Sequence, residues 1–268
     1  MLNTTEFVTI AILAKDKAHI LPLYLKLIEK QTYPSSKIKL YIRTNNNNDQ
    51  TAIILEQWID KVKDKYSEIY YDSSNVEEPV HEYAPHEWNS LRFKVLGCIR
   101  QESIEWAQSK GTHYFVVDCD NFILPETLEH LLNTGLPVIA PFLRNADEQS
   151  SYYSNYHFIT DQNGYFTSSN LYNEIYLQNI KGLIEVEVVH CTYFVRNEVL
   201  HSVSYLDDSN RHEYVIFSDT LRKKGVPQYI DNRQLYGYLT FSDTEEEFEV
   251  KAIPVVINFL TKNDRFNP

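Results

Sequence analysis

Short apolar runs alternate with amphipathic segments through the first half of this chain. That alternation restricts the fold more than any other feature of the sequence. Val8-Thr9-Ile10-Ala11-Ile12-Leu13-Ala14 is rich in β-branched residues and too short for a core helix, so it reads as a buried strand. Leu21, Leu25 and Ile28 then recur at helical spacing behind Pro22, with Asp16 as the expected helix cap and Tyr33-Pro34-Ser35-Ser36 as the stop. Ile38 to Ile42 is a second strand, running into the polar loop Thr44-Asn45-Asn46-Asn47-Asn48-Asp49. Ala52 to Lys65 is an amphipathic helix, and Ile69-Tyr70-Tyr71 a third strand. Strand, helix, strand, helix, strand predicts a parallel sheet covered by helices.

Residues 73–88 are acidic, irregular and Pro- and His-bearing, and a loop of that length points to a functional segment. Leu91 to Gln108 is helical by period, Tyr114-Phe115-Val116-Val117 a fourth strand, Pro125 to Leu132 a helix and Val138-Ile139-Ala140 a fifth strand. The text then changes. Ser150 to Leu177 is dense in Tyr, Ser and Asn, with Asp161-Gln162-Asn163-Gly164 as a hairpin turn. Val186 to Val195 reads as one strand, Val215 to Lys224 as a helix ending at Gly225, and Gln228-Tyr229-Ile230 as a last strand. Glu245 to Leu260 closes the chain, interrupted by Pro254. With 268 residues, no repeat and no linker, the expectation is a single domain in two halves, 1–145 and 146–268, the second ending in a helical segment.

Composition removes several classes of function. Hydrophobic residues are 43% of the chain, enough for a sizeable core and against disorder. A net charge of −12 argues against a nucleic-acid or anionic-membrane partner, while leaving room for a local basic pocket. The three cysteines, Cys98, Cys119 and Cys191, form no CxxC pair, so neither a disulfide framework nor a structural zinc site is expected. No GxGxxG or GxxxxGK[ST] occurs among the seven glycines. Met1 to Phe7 lacks the basic and apolar regions of a signal peptide, Val8 to Ala14 is too short to span a bilayer, and Arg265-Phe266-Asn267-Pro268 is no retention signal. These features give the expectation of a soluble protein in a reducing, cytoplasmic compartment. A homo-oligomer is compatible with the sequence.

The main chemical signal is Asp118-Cys119-Asp120, directly after the apolar run Tyr114–Val117. Ligands of open α/β sheets sit beyond the carboxyl ends of the strands, where two carboxylates can hold Mn²⁺ or Mg²⁺ and, through it, a diphosphate. The alternative reading is a turn-forming Asp. His190 lies in the apolar stretch Val188-Val189-His190-Cys191-Thr192 and is either a satisfied core histidine or a third metal ligand. Glu213 precedes an apolar helix and is either a helix-start carboxylate or a general base, with Asp219, Asp207 and Asp208 competing for that role. Arg92 opens a helix and is either solvated or a diphosphate contact. Asn232-Arg233 near Tyr236-Gly237-Tyr238 offers a second cation among aromatics, or plain packing.

Taken in order, these segments resemble the procollagen galactosyltransferase family, in its N-terminal glycosyltransferase domain, over roughly residues 8–240. The resemblance is carried by Ala11-Ile12-Leu13-Ala14-Lys15 with His19, Leu21 and Pro22; by Asp49-Gln50-Thr51 before Trp58; and by His86-Glu87-Trp88 with Ser90, Arg92 and Phe93. It continues in Asp118-Cys119-Asp120-Asn121-Phe122, Ala140-Pro141, Tyr153-Ser154-Asn155 and Val189-His190-Cys191-Thr192-Tyr193-Phe194, and ends in Asn232-Arg233 with Tyr236-Gly237-Tyr238-Leu239.

The resemblance implies a GT-A fold: a mixed, Rossmann-like α/β sheet with helices on both faces. It also implies a UDP-sugar donor, Mn²⁺ (or Mg²⁺), and β-galactosyl transfer onto hydroxylysine of collagen-like Gly-X-Y chains. An α-linked donor giving a β product means inversion, and inversion needs a base on the face opposite UDP, the role that falls to Glu213. Asp118 and Asp120 map onto the family's DxD and His190 onto its strand histidine. Ala14, Lys15, Asp16, Thr44, Asn45 and Arg92 become donor contacts. Cys119 lies among them, although such motifs leave the middle position chemically free.

The sequence departs from the family where His212 replaces the first member of an acidic pair, and in the amide-rich run Asn45–Asn48. It also departs in lacking the family's second transferase-like domain and its ER signals, which would suit a microbe or virus acting within host cytoplasm. Glucose is the epimeric donor alternative. A glycan acceptor, or a non-catalytic collagen-binding module, is the alternative function.

Overall fold

The computed structural model describes residues 6–78, 89–147 and 152–262. His86, Glu87 and Trp88, most of the 73–88 loop and both chain termini lie outside the described residues. The predicted alternation is present. Strand β1 (Val8–Ala14), helix α1 (Leu21–Glu29), β2 (Ile38–Thr44), α2 (Thr51–Val62), β3 (Glu68–Asp72), α3 (Ser90–Ser109) and β4 (His113–Val117) follow one another. They continue through β5 (Asn121–Ile123), α4 (Thr127–Asn133), β6 (Val138–Pro141), β7 (Leu143–Asn145), β8 (Tyr156–His157) and α5 (Asn170–Tyr176). Then come β9 (Leu183–Val186), β10 (Val188–Val189), β11 (Thr192–Val195), α6 (Asn197–Leu200), α7 (Glu213–Lys223), β12 (Gln228–Asp231) and β13 (Gly237–Leu239). The chain closes with α8 (Glu245–Glu247), a π-helical turn over Phe248–Ala252, and α9 (Ile253–Lys262).

The principal sheet has eight strands in the order β3-β2-β1-β4-β11-β6-β12-β9. β3, β2, β1 and β4 are parallel neighbours; β11 is antiparallel to both β4 and β6, so the sheet is mixed. Alternation along each strand builds two cores, one on each face. Ile10, Ile12, Phe115 and Val117 point to the face covered by α1, α2, α4 and α9. Ala11, Tyr114 and Val116 point to the face where α5, α6 and α7 pack with the end of α3. The register Ala14↔Thr44, with β4 beside β1, brings the carboxyl ends of three parallel strands together.

Three expectations change. Asp16 caps no helix: it sits at φ 52, and α1 opens only at Leu21, with Ile20 and Leu21 donating to the Lys17 carbonyl at 3.0 Å. The stretch Val186–Val195 breaks into separate strands, because Cys191 at φ 63 reverses the chain after His190. His190 therefore stands at a corner and not within a strand. Gln228–Ile230 is not the last strand; β13 follows and joins β5 and β7 in a three-stranded sheet. Pro254 marks an interruption but not a stop: helical backbone runs on from α8 into α9, and the π-helical turn Phe248–Ala252 directly before the proline breaks the α-helical pairing where its N–H is missing.

Gly237 lets β13 lie against β5. A Cβ there would stand 2.0 Å from the Phe122 carbonyl oxygen and 3.0 Å from Ile123 Cα. Both contacts are backbone, so no rotamer relieves them. Gly237→Ala is expected to lower stability by about 1–3 kcal/mol, as overpacked sites do. Urea unfolding should show an earlier midpoint; a midpoint equal to wild type would contradict the close approach.

Candidate functional site

The Asp118–Asp120 turn leaves β4 and is pinned by four segments. Tyr24 of α1 donates its hydroxyl to the Val117 carbonyl at 2.8 Å. The Asp118 N–H donates to the Cys191 carbonyl at 3.0 Å, and Thr240 N–H to the Asp120 carbonyl at 3.0 Å. Cys119 turns inward, its thiol 3.3 Å from the Leu13 carbonyl, and burial pushes that thiol well up. Cys119 is therefore a packed residue, as expected of the middle position of such a motif.

Two cations meet the two carboxylates. Arg100, on the buried face of α3, donates from Nη2 to Asp118 Oδ1 at 2.7 Å and Oδ2 at 3.0 Å. Lys17 Nζ lies 3.4 Å from Asp120 Oδ2. Arg100 Nε also lies 3.3 Å from Glu213 Oε1, so one guanidinium faces carboxylates from β4 and from the first turn of α7. Burial works against the Arg100 charge, but Asp118 and Glu213 outweigh it and raise its pKa. Asp118 is pushed up to about 6 by burial and by the neighbouring Asp120 and Glu213, against the pull of Arg100. A single buried cation shared among several carboxylates accounts for both directions.

Behind this cluster stand aromatic and imidazole rings. The His190 ring lies 5.1 Å from those of His157 and Tyr214 and 5.7 Å from that of Tyr153. Its Nδ1 is 2.9 Å from Cys191 Sγ. Burial, and then His157, Arg100 and His212, hold His190 neutral. His190 Nε2, His157 Nδ1 and Glu213 Oε2, like Nε and Nη1 of Arg100, are buried polar atoms with no hydrogen-bond partner among the described residues.

The remaining sequence candidates sort by position. Ala14 ends β1 with Lys15 and Asp16 after it, and Thr44 ends β2 beside them with Asn45 after it. Asp16 accepts from the Asn48 N–H at 2.6 Å and donates its own N–H to Asn47 Oδ1 at 3.0 Å, which ties the two loops together. Arg92 occupies the first turn of α3, ~12 Å along the helix from Arg100. Asp219 shares α7 with Glu213 but lies about 240° further round the helix. It pairs with Arg211 at 3.0 Å and Lys223 at 2.9 Å. Burial opposes this pairing, yet those cations hold its carboxyl below the ordinary range. Asp207 binds Arg211 at 2.7 Å, and Asp208 is exposed. Glu213 is thus the candidate base that the fold brings to the Asp118 cluster. The sequence reading missed Lys17, Arg100 and His157. Arg100 carried a signal, since it falls with Gly97, Ile104 and Ala107 on one buried helix face, a polar residue in a core position.

Among the described residues no three His, Cys, Asp or Glu side chains converge as a ready-made metal cage. The donor set still suits a hard divalent ion, which binds through one or two carboxylates and takes its other ligands from phosphate and water. Asp118 and Asp120 supply such carboxylates, and His190 offers a neutral, unpartnered ring nitrogen. No helix among the described residues is long and apolar enough to cross a membrane.

A family model described as "Glycosyltransferase family 25, N-terminal domain" matches residues 5–252. A glycosyltransferase 25 family member of Drosophila melanogaster is 28% identical over 253 residues, 87% of this chain and 41% of the relative. A probable inactive glycosyltransferase 25 family member 3 of Bos taurus is 30% identical over 244 residues, 87% and 40% of the two chains. Procollagen galactosyltransferase 2 of Homo sapiens is 28% identical over 244 residues, 87% and 38%. The chain spans about two fifths of the length of these curated relatives.

Among solved structures, S. aureus TarS 1-349 in complex with UDP-GlcNAc aligns with a TM-score of 0.55 at 14% identity, over 87% of this chain and 58% of that one. The mannosyltransferase PcManGT from Pyrobaculum calidifontis, in complex with GDP-Man and Mn²⁺, aligns at 0.56 and 11% identity, over 100% and 67%. These likenesses bear out the GT-A fold that the sequence resemblance implied.

The buried imidazoles make stability depend on pH. Burial lowers the pKa of His157 from 6.5 to about 4. A histidine depressed in the folded state contributes stability that is complete above its unfolded pKa and is lost as pH falls through the folded one. Between those two values His157 is expected to remove roughly 3 kcal/mol from the folded state. His157→Gln should flatten that part of the curve in urea titrations across the window. Parallel curves for variant and wild type would contradict a neutral, buried ring.

Proposed function

The chain belongs to glycosyltransferase family 25, and from that premise we propose that it is a metal-dependent, inverting transferase moving galactose from UDP-galactose onto hydroxylysine of collagen-like chains. Relatives named procollagen galactosyltransferase support the sugar and the acceptor. The observation that carries the catalytic reading is Glu213. Its Oε1 faces Arg100, while Oε2 is buried without a hydrogen bond among the described residues, with His212 Nδ1 3.9 Å away. A buried carboxylate oxygen without a hydrogen bond is destabilising unless a ligand uses it.

In this reading residues 1–145 hold the donor, with Ala14, Lys15, Asp16, Thr44, Asn45 and Arg92 around the nucleotide, and residues 146–268 hold the acceptor. Asp118 and Asp120, with His190, are the residues that would hold Mn²⁺ or Mg²⁺, which when bound neutralises charge on the diphosphate. Glu213 Oε2 accepts the proton from the acceptor hydroxyl as its oxygen attacks the anomeric carbon. The bond from that carbon to the diphosphate oxygen breaks, UDP departs with the electron pair, and the sugar inverts. The neutral rings of His190, His157 and Tyr214 keep water away from this face.

A second reading has its own support. Some relatives are named inactive, and both DxD carboxylates already face cations. In that reading the fold is a non-catalytic collagen-binding module.

UDP release measured with UDP-galactose and UDP-glucose, with and without Mn²⁺, on a hydroxylysine-bearing Gly-X-Y peptide separates the two readings. Metal-dependent turnover of UDP-galactose is expected, abolished in Asp118→Ala/Asp120→Ala. Glu213→Gln is expected to lower kcat by ~10²–10⁴-fold. Turnover lost in Asp219→Asn and kept in Glu213→Gln would move the base, preference for UDP-glucose would change the sugar, and peptide binding without UDP release would favour the module.

A further inference from the structure

We propose that Arg100 is the positioning residue of this site: one buried guanidinium fixes the place of Asp118 and of Glu213 together, and so aims the base. The inference rests on the reading of Glu213 as base. Arg100 is 6% exposed and reaches its two partners through different nitrogens, Nη2 to Asp118 and Nε to Glu213. Asp118 belongs to the sheet and Glu213 to α7, and the structure gives no direct contact between them. Their relative position is therefore transmitted through the guanidinium plane.

The helix backbone that carries Arg100 is fixed from behind. Ser103 Oγ donates to the Arg100 carbonyl at 2.6 Å and meets the Tyr114 hydroxyl at 2.8 Å. The phenols of Tyr193 and Tyr205, hydrogen-bonded to each other, also face the Arg100 charge. Gly97, one turn earlier on the same face, lets α3 lie close to the segment that leads into α7. An added Cβ would stand 3.1 Å from the Tyr205 carbonyl oxygen and 3.6 Å from Glu213 Cβ.

The Nε–Glu213 contact is an ion pair without hydrogen-bond alignment, and Nη1 makes no hydrogen bond among the described residues, so only the Nη2 arm is fully used. A planar, forked cation can face two carboxylates from different nitrogens at once. A lysine ammonium keeps the charge but not the fork. The shorter ammonium can still meet Asp118, so loss of the fork should leave donor binding largely intact and misplace the base, whose contact is the second arm. A misplacement of about 1 Å is worth ~10²-fold in rate.

The test is Arg100→Lys in the full chain, alone and combined with Glu213→Gln. Arg100→Lys is expected to lower kcat by ~10–100-fold with KM for UDP-galactose within about threefold of wild type. On the Glu213→Gln background it should cause no further loss, because the group it positions is gone. Arg100→Ala should recover several-fold in the presence of guanidinium ion, and not with ammonium. A crystal structure of Arg100→Lys should show the Glu213 carboxylate displaced, a readout that needs no activity.

Wild-type kcat in a folded Arg100→Lys, a full loss on the Glu213→Gln background, or an unmoved Glu213 carboxylate would each overturn the proposal. Wild-type turnover in Glu213→Gln would instead overturn the base assignment. Absence of turnover in the wild-type chain would overturn the catalytic reading, and the position of Glu213 in the Arg100→Lys crystal would still decide what Arg100 does.

Discussion

One buried guanidinium opposite more carboxylate than it can neutralise is the constraint on which the carboxyl end of this sheet depends. Arg100 comes from α3, Asp118 from β4 and Glu213 from α7, so three elements must be packed in register before any of these charges is compensated. Breaking a buried pair by removing one partner leaves an uncompensated charge, at about 3–5 kcal/mol. The protein retains this arrangement where apolar packing would be more stabilising. Burial, with Asp120 and Glu213 nearby, holds the Asp118 carboxyl above the ordinary range, with Glu213 across the same cation.

The sheet supplies the frame. Its parallel half delivers the ends of β1, β2 and β4 side by side, and the loops there are stiffened by amide and carboxylate contacts among Asp16, Asn47 and Asn48. Both Asp16 and Asn46 take the left-handed conformation, at φ 52 and 45, that short polar side chains tolerate best. The amide-rich run after β2 is therefore a structural clasp between two loops. The antiparallel insertion of β11 between β4 and β6 serves a different end. It brings the corner at His190 and Cys191 back to the Asp118 turn, which a wholly parallel sheet would not do.

Much of this was legible in the residues. The β-branched run Val8–Ala14, the apolar run before Asp118 and the periodic helices carry strong local signals, and each element lies close to its expected place. What escaped was decided by distant partners. β5, β7 and β13 have three residues each, too few for a period to show, and exist because they pair with one another. The stretch around His190 has strand composition throughout, and the turn there is fixed by Cys191 at φ 63 and by the distant Asn155, whose carbonyl accepts the His190 N–H at 3.1 Å and whose side chain donates to the Thr192 carbonyl at 3.2 Å. Lys17 and Arg100 belong to no motif in the sequence, and the fold alone brings them to the two carboxylates. Arg100 alone left a trace, as a polar residue in the buried stripe of α3.

The four-way pinning of the Asp118–Asp120 turn has a consequence for how the molecule is made. The last of its clamps is Thr240, whose N–H meets the Asp120 carbonyl across most of the second half of the chain, while Cys191 supplies another. Contacts between residues so far apart in sequence close large loops and form late, because their entropy must be met before they stabilise anything. On a ribosome, the strand that ends in Asp118 emerges long before the residues that fix its turn. The carboxylates of the site are therefore among the last groups to reach their final positions. A nascent or truncated chain ending before residue 240 would hold a formed sheet edge with its acidic turn still unfastened, the state in which such a chain is most exposed to mispairing.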